Sequence, residues 1–392
     1  MTALLRVVLD QLVAPTDPDL AMVSRELARA LIRAAPAGCA VAGIVPAAAD
    51  VAATIEAATP GLADLTRAAL PRRELAAAWQ LGMPPGVGGG LIHSPTLLAP
   101  LVRHDRVHEH DQTVVTLWSL DAWERPDEIG RAAVAWHRAM LRRAVRHADA
   151  VVVPTHGAAQ RVGELGAFGD RVRVIAGAAP AGFAVPVDEV GRRRALGVPD
   201  GSLVVVGSAA ASSRAADAFA AVARAGTDLP VVVLDAPEGE EQAVLGLAAR
   251  AGLHEGRVRV PGMLEDADRA AVLGGAVALI APSQLTAFPW RVIEALAVGV
   301  PVVAADTPSH RAVVLDGGIL ADVGSPDDAA GEAAGEAAGE AGEAGEALGA
   351  ALAQVLGSTA AVERYAVLAS DRGRAFSWHS AAERVWQLHA DL

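Results

Sequence analysis

The chain alternates short apolar, β-branched runs with longer segments rich in Ala, Leu and Arg, and it does so twice in succession. That alternation is the pattern of parallel strands joined by helices, and it restricts the fold to the α/β class. In the first series Leu5 to Asp10, Cys39 to Val45, Leu91 to His93, Thr113 to Leu117, Ala150 to Pro154 and Val172 to Ile175 read as strands. Leu20 to Ala34 reads as a helix with Ala21, Leu27, Leu31 and Ile32 on one face. Ala133 to His147 reads as another, ending in Arg142, Arg143, Arg146 and His147. Cations at a helix C-terminus complement the macrodipole.

Residues 177 to 201 are rich in Gly, Pro and small side chains, followed by a short Arg-rich helix at Gly191 to Leu196. The second series follows, with strands expected at Leu203 to Val206, Val231 to Leu234, Val258 to Val260, Val277 to Ile280 and Val300 to Ala304, and a short edge strand at Ile319-Leu320. The reading is two Rossmann-like domains facing each other across a cleft, with ligands beyond the carboxyl ends of the strands. Expected boundaries are residues 1–184 for the first domain, 185–200 for a linker and 201–375 for the second domain. The amphipathic segment Phe376 to Leu392 is expected to pack back on the first domain through Trp378, Ala382, Val385, Trp386 and His389.

A chain of 392 residues, 52% apolar and 20% charged, has enough apolar material for two domains and is not the composition of a disordered protein. The net charge of −13 argues against a protein that neutralises nucleic-acid phosphates. All 33 basic residues are arginine, so any cation holding a phosphate here is an Arg, a His or a helix N-terminus. Cys39 is the only cysteine, which excludes an internal disulfide and a cysteine-based zinc site. Met1 to Asp10 is too short an apolar run for a signal peptide, and no apolar stretch reaches the ~18 residues of a membrane span. The expectation is a cytoplasmic protein. The Arg142, Arg143 and Arg146 group reads as a solvated helix end; the alternative is a peripheral contact with anionic lipid headgroups. Residues 328–350 form a degenerate Gly-Glu-Ala repeat, expected to be a frayed acidic surface extension, because each Gly costs a helix about 1 kcal/mol relative to Ala.

The most informative stretch runs from Ala281-Pro282-Ser283 through Ile293-Glu294-Ala295-Leu296 and Gly299 to Pro301-Val302-Val303. A strand delivers Pro-Ser, an irregular loop follows, and a helix carrying Glu294 leads to the next strand. This resembles the donor-binding segment of the GT-B-fold glycosyltransferases, specifically the retaining family 4 (glycosyl transferases group 1). Val206-Gly207, Arg257 to Gly262, Ala148 to Thr155, Val172 to Ala179 and Phe376-Ser377-Trp378 resemble further family segments in order.

The resemblance implies that loop amides face a diphosphate, that Glu294 accepts hydrogen bonds from ribose hydroxyls, and that Gly207, Ser208, Arg214, Ala287, Phe288 and Arg291 belong to the donor site. It implies a UDP- or GDP-sugar donor, no obligatory metal or cofactor, and a saccharide or lipid-linked acceptor in polysaccharide or cell-envelope glycan synthesis. Candidate catalytic positions are His93, after a strand, and Thr286. Trp118 and Asp121 fall on the expected acceptor side.

The departures are specific. Thr286 stands where the family has the first acid, eight residues before Glu294. Thr286 is read either as a sugar-hydroxyl partner or as a helix cap. Ala287-Phe288-Pro289-Trp290 replaces a Gly-rich loop, and Pro289 removes one amide. Ser208 and Ser213 replace a cationic pair, leaving Arg214 beside them, and Trp118 replaces a histidine. Each position also has a bland reading. Glu294 suits a helix first turn, Arg291 pairs with it, His93 is a satisfied structural histidine, and the two Trp at 118 and 123 are packing anchors. The competing function is therefore a catalytically impaired relative that binds or regulates. An epimerase of the same fold is disfavoured because the match continues to Phe376-Ser377-Trp378.

Overall fold

In a computed structural model of the chain, residues 3–83, 86–105, 108, 110–324 and 337–392 are described. They form two compact units, one of residues 1–181 with 377–392 and one of residues 182–376. The first unit carries β1 (Ala3–Val8), α1 (Asp10–Val13), α2 (Pro18–Arg33), β2 (Cys39–Val45), α3 (Val51–Ala58), β3 (Asp64–Arg67), α4 (Arg72–Leu81), β4 (Leu91–Ser94), β5 (Gln112–Thr116), α5 (Asp121–Glu124), α6 (Arg131–His147), β6 (Ala150–Val153), α7 (His156–Leu165) and β7 (Val172–Val174). Its seven strands pair in parallel in the order β3-β2-β1-β4-β5-β6-β7.

Local sequence explains the ends of these elements. Asp17 accepts from Leu20 N at 3.0 Å and Pro18 opens the first turn of α2, where its missing N–H costs nothing. The chain's last helix, Trp378–Asp391, belongs to this unit and is capped by Ser377. Trp386 Nε1 donates to Leu31 O (3.1 Å) and Trp378 Nε1 to Ala179 O (2.9 Å), so both indoles bury their rings with the polar atom paired.

The second unit carries α8 (Glu189–Ala195), β8 (Ser202–Val206), α9 (Ala215–Arg224), β9 (Val231–Leu234), α10 (Glu241–Arg250), β10 (Val258–Arg259), α11 (Asp266–Gly274), β11 (Ala276–Ala281), α12 (Trp290–Ala297), β12 (Val302–Ala305), α13 (Pro308–Val314), β13 (Gly318–Ala321), and the helices Ala337–Leu356 and Thr359–Gly373. Its parallel sheet runs β10-β9-β8-β11-β12-β13.

Two expectations need correction. Residues 189–195 are a helix seated on the second unit, where buried Arg193 bonds Glu189 (2.8 Å), Asp200 (2.6 Å) and Ala271 O (2.9 Å). They are not a free connection. The Gly-Glu-Ala repeat is not a frayed extension over residues 342–350: it is helical, and Ala344 and Leu348 join the core beside α9. A Cβ on Gly345 would stand 2.8 Å from Ala220 Cβ, and one on Gly349 3.2 Å from Ala221 O, so these glycines let two helix backbones approach. The burial gained outweighs the propensity lost. Residues 328–336 of the repeat lie outside the described residues. Among the described residues no helix is long and apolar enough to cross a membrane.

Candidate functional site

In the second unit β9 and β10 lie on one side of β8, and β11, β12 and β13 on the other. The β8/β11 boundary is thus a topological switch point, where the following loops diverge and ligands of open parallel sheets bind. The loop after β8, Gly207 to Arg214, and the loop after β11, Pro282 to Pro289, meet there. Ser283 Oγ donates to Ser212 O (3.0 Å), Arg214 NH1 to Gln284 Oε1 (2.5 Å), and Gln284 Nε2 to Gly324 O (2.5 Å). Within the first loop Ala210 N donates to Ser208 Oγ (3.2 Å), Ser213 Oγ to Ser208 O (2.8 Å) and Ala209 N to Glu240 Oε2 (2.9 Å). Ser208 and Ser213 therefore shape the loop. A Cβ on Gly207 would stand 3.2 Å from Ala215 Cβ, so the glycine admits the start of α9.

Arg214 sits at φ +53, in the left-handed region, as the N-cap of α9. Its Nε donates to Asp217 at 2.6 Å. Burial pushes the Asp217 carboxyl up, and the Arg214 guanidinium only partly offsets this.

Glu294 is 1% exposed. Arg269 grips it with a fork, Nε to Oε2 at 2.9 Å and NH2 to Oε1 at 2.7 Å, and Arg291 NH1 adds a third bond to Oε1 at 2.7 Å. Arg269 also bonds Asp266 and Leu264 O. Burial lowers the Arg269 pKa, but the Glu294 contacts outweigh it and the guanidinium ends above its ordinary value. Arg291, 5% exposed, continues the chain: its Nε lies 2.9 Å from both carboxylate oxygens of Asp235. Both Glu294 oxygens, expected to meet ribose hydroxyls, face guanidinium groups in a buried site. Arg291 pairs with Glu294.

Thr286 does not cap α12. The N-cap is Pro289, whose side chain makes no cap bond. Ala287 and Phe288 are buried, and the Phe288 ring meets Trp290 edge-on at 4.5 Å. Their side chains are packing groups.

In the first unit the corresponding switch point is β1/β4. There Asp10, fully buried, accepts from Arg72 Nε and Gln11 Nε2 at 2.8 Å each, and burial raises its pKa. Gln11 Oε1 in turn holds Thr16. His93 is fully buried, 3.3 Å from Thr116 Oγ1 and 3.4 Å from His389 Nε2, and burial first, His389 second, drive its pKa well below the ordinary value. The ring is a buried member of the first unit's core, in contact with Thr116 and His389. Trp118 is buried too, edge-on to Trp378 at 6.3 Å, so its ring packs against the C-terminal helix. Asp121 accepts from Arg125 NH2 at 2.8 Å and lies 2.8 Å from its Nε through the other oxygen.

Sequence reasoning did not single out Arg269, Asp235, Gln284, Asp10 or Arg72. Arg269 carries no local signal, because its partner lies 25 positions away. Asp235 had one: an acid directly after the second strand of an α/β series.

Residues 203–334 match the family model described as Glycosyl transferases group 1. No curated protein sequence matches the chain. Among solved structures, HepE from Anabaena in complex with UDP-glucose is 16% identical with a TM-score of 0.68, covering 99% of this chain and 100% of its own. Sucrose-phosphate synthase from Thermosynechococcus elongatus is 18% identical with a TM-score of 0.67 over 99% and 98% of the two chains. WaaG, a glycosyltransferase involved in lipopolysaccharide biosynthesis, is 13% identical with a TM-score of 0.64 over 97% and 98%. The chain has the GT-B fold of two Rossmann-like α/β domains, and the stretch that matches the family model lies in its second unit.

Proposed function

We propose that the protein is a glycosyltransferase that binds a UDP- or GDP-linked sugar on its second unit. The sugar passes, with retention of anomeric configuration, to a saccharide or lipid-linked acceptor in polysaccharide or cell-envelope glycan synthesis. The observation that carries this reading is the pair of cross-linked loops at the β8/β11 switch point, inside the stretch that matches the group 1 family model. HepE, a structure of the same fold, is seen with UDP-glucose, which favours a uridine donor.

The chemistry follows from charge. Departure of the sugar leaves negative charge on the diphosphate, and preorganised donors aimed at that charge lower the barrier. The N-terminus of α12, at the end of the β11 loop, offers the positive end of a helix dipole. Arg214 supplies the cation of the β8 loop in a chain without lysine. No protein nucleophile, metal or cofactor is required by this scheme. We place the protein in the cytoplasm, with a peripheral membrane contact through exposed Arg142 and Arg146.

Purified protein is to be assayed against a panel of nucleotide sugars for transfer, hydrolysis and, by calorimetry, binding of UDP and GDP. Absence of all three sinks the reading. A second reading, a relative that binds a nucleotide without turning it over, is favoured by Thr286 in place of an acid and by the engaged state of Glu294. Its signature is nucleotide binding with no transfer or hydrolysis.

A further inference from the structure

Counted from β8, the second sheet runs third-second-first-fourth-fifth-sixth. In dinucleotide-binding sheets of that order, an acid past the second strand bonds ribose hydroxyls. Here the residue directly after β9 is Asp235. Three observations set it apart.

Its backbone is at φ +69, a left-handed conformation that side-chain-bearing residues hold mainly where the surroundings enforce it. It stands beside the β8 loop, since Gly207 N donates to Leu234 O at 3.0 Å. Its carboxylate is 31% exposed yet oriented, with one Arg291 N–H shared between its two oxygens at 2.9 Å each. A carboxylate has about four acceptor sites, so this arrangement leaves room for hydroxyl donors.

The bracing is as informative as the acid. Arg291 lies on α12, after β11, whereas Asp235 ends β9, and β8 separates those two strands. Arg269 holds Glu294, Glu294 holds Arg291, and Arg291 aims Asp235. Asp266, the other partly exposed acid in this network, sits at the start of α11 instead of beside the β8 loop.

We infer that Asp235 is the carboxylate that contacts the donor ribose, and that Glu294 is a positioning residue acting on it through Arg291. This rests on the glycosyltransferase reading.

The test is calorimetry on the intact protein with UDP, GDP and their 2′-deoxy and 3′-deoxy counterparts. Wild type is expected to bind the preferred ribonucleotide at least about tenfold more tightly than one of the deoxy forms, the scale of a hydrogen bond to a charged group. Asp235→Asn, which keeps an oxygen for Arg291, is expected to weaken the ribonucleotide on the order of ten- to a hundredfold while leaving that deoxy form nearly unchanged. Glu294→Gln should lower the same discrimination, and its effect should not add to that of Asp235→Asn. Additive losses overturn the positioning role. Full discrimination in a folded Asp235→Asn variant, or none in wild type, overturns the ribose assignment while nucleotide binding itself stands. Binding of no nucleotide by wild type overturns both the assignment and the reading beneath it. If Glu294→Gln does not fold, Arg291→Lys takes its place: it keeps the charge, loses the Nε–H shared between the Asp235 oxygens, and should cut the same discrimination without adding to Asp235→Asn.

Discussion

His389, near the end of the chain, places Nε2 3.4 Å from Nδ1 of His93 on β4 and Nδ1 2.9 Å from Gln112 Oε1. The rings meet edge-on at 5.6 Å between centroids. Burial brings the His389 pKa down to about 4 and that of His93 well below its ordinary value. Both imidazoles are neutral in the folded protein at neutral pH, and the pair ties the last helix to the first sheet.

Acid stability follows from this pair. An unfolded histidine takes up a proton below about pH 6.5, whereas folded His389 does so only near pH 4. The unfolded state then binds more protons, so the stabilisation is complete above about pH 6.5 and falls as the pH drops toward 4. The loss is about 1.4 kcal/mol per pH unit for each such histidine. Denaturant unfolding at pH 7 and pH 5 should show it, and His389→Gln should reduce the difference. It will not abolish it, because buried His310 in the second unit also has its pKa lowered to about 4.

Glu294→Ala removes the shared partner of two buried guanidinium groups. Leaving buried charges uncompensated typically costs about 3–5 kcal/mol. Urea unfolding should show a loss of that size, with Glu294→Gln milder. A loss below about 1 kcal/mol would contradict the dry, fully paired geometry seen around Glu294.

Arg214 has two roles that a pair of variants separates. It is proposed to meet the donor diphosphate, and it pairs with the buried Asp217. Arg214→Ala should weaken UDP or GDP binding by about tenfold or more and also destabilise the fold by about 1–3 kcal/mol, from an unpaired Asp217. Arg214→Ala with Asp217→Asn should recover part of the stability and none of the binding. Recovery of nucleotide affinity in the double variant would remove Arg214 from the donor site.

The glycines of helix Ala337–Leu356 should respond with opposite signs. Gly345→Leu drives a side chain into Ala220 and should cost about 1–3 kcal/mol. Gly342→Ala meets nothing nearer than the Arg224 guanidinium at 3.9 Å and should stabilise by up to about 1 kcal/mol. Thermal midpoints of the two variants read the contrast directly.

Much of the fold was legible along the chain. Cys39–Val45 and Val231–Leu234 are strands at the limits their apolar runs define, and the C-terminal helix buries Trp378, Val385 and Trp386 on the face its spacing marks. The edge strand Asp64–Arg67 was not legible, because its sequence DLTR has neither an apolar run nor alternation; it forms by pairing with β2. The site was legible as a location only. A proline-ended loop and a glutamate on a short helix marked the β11–α12 segment, but nothing near Glu294 in sequence announces Arg269 as the group that holds it.

By itself the sequence determined most of the strands, the α/β class and the reliance on arginine for every fixed cation except histidine, because apolar periodicity and composition are local properties. Only the tertiary structure decided that Glu294 is walled in by two arginines, that His93 and Trp118 are core residues, and that Asp235, at the end of β9, is partly exposed and held by Arg291. Most of those outcomes depend on side chains brought together from distant positions, such as Arg269 and Glu294, 25 apart, and His93 and His389, 296 apart, and packing, not local propensity, makes that choice.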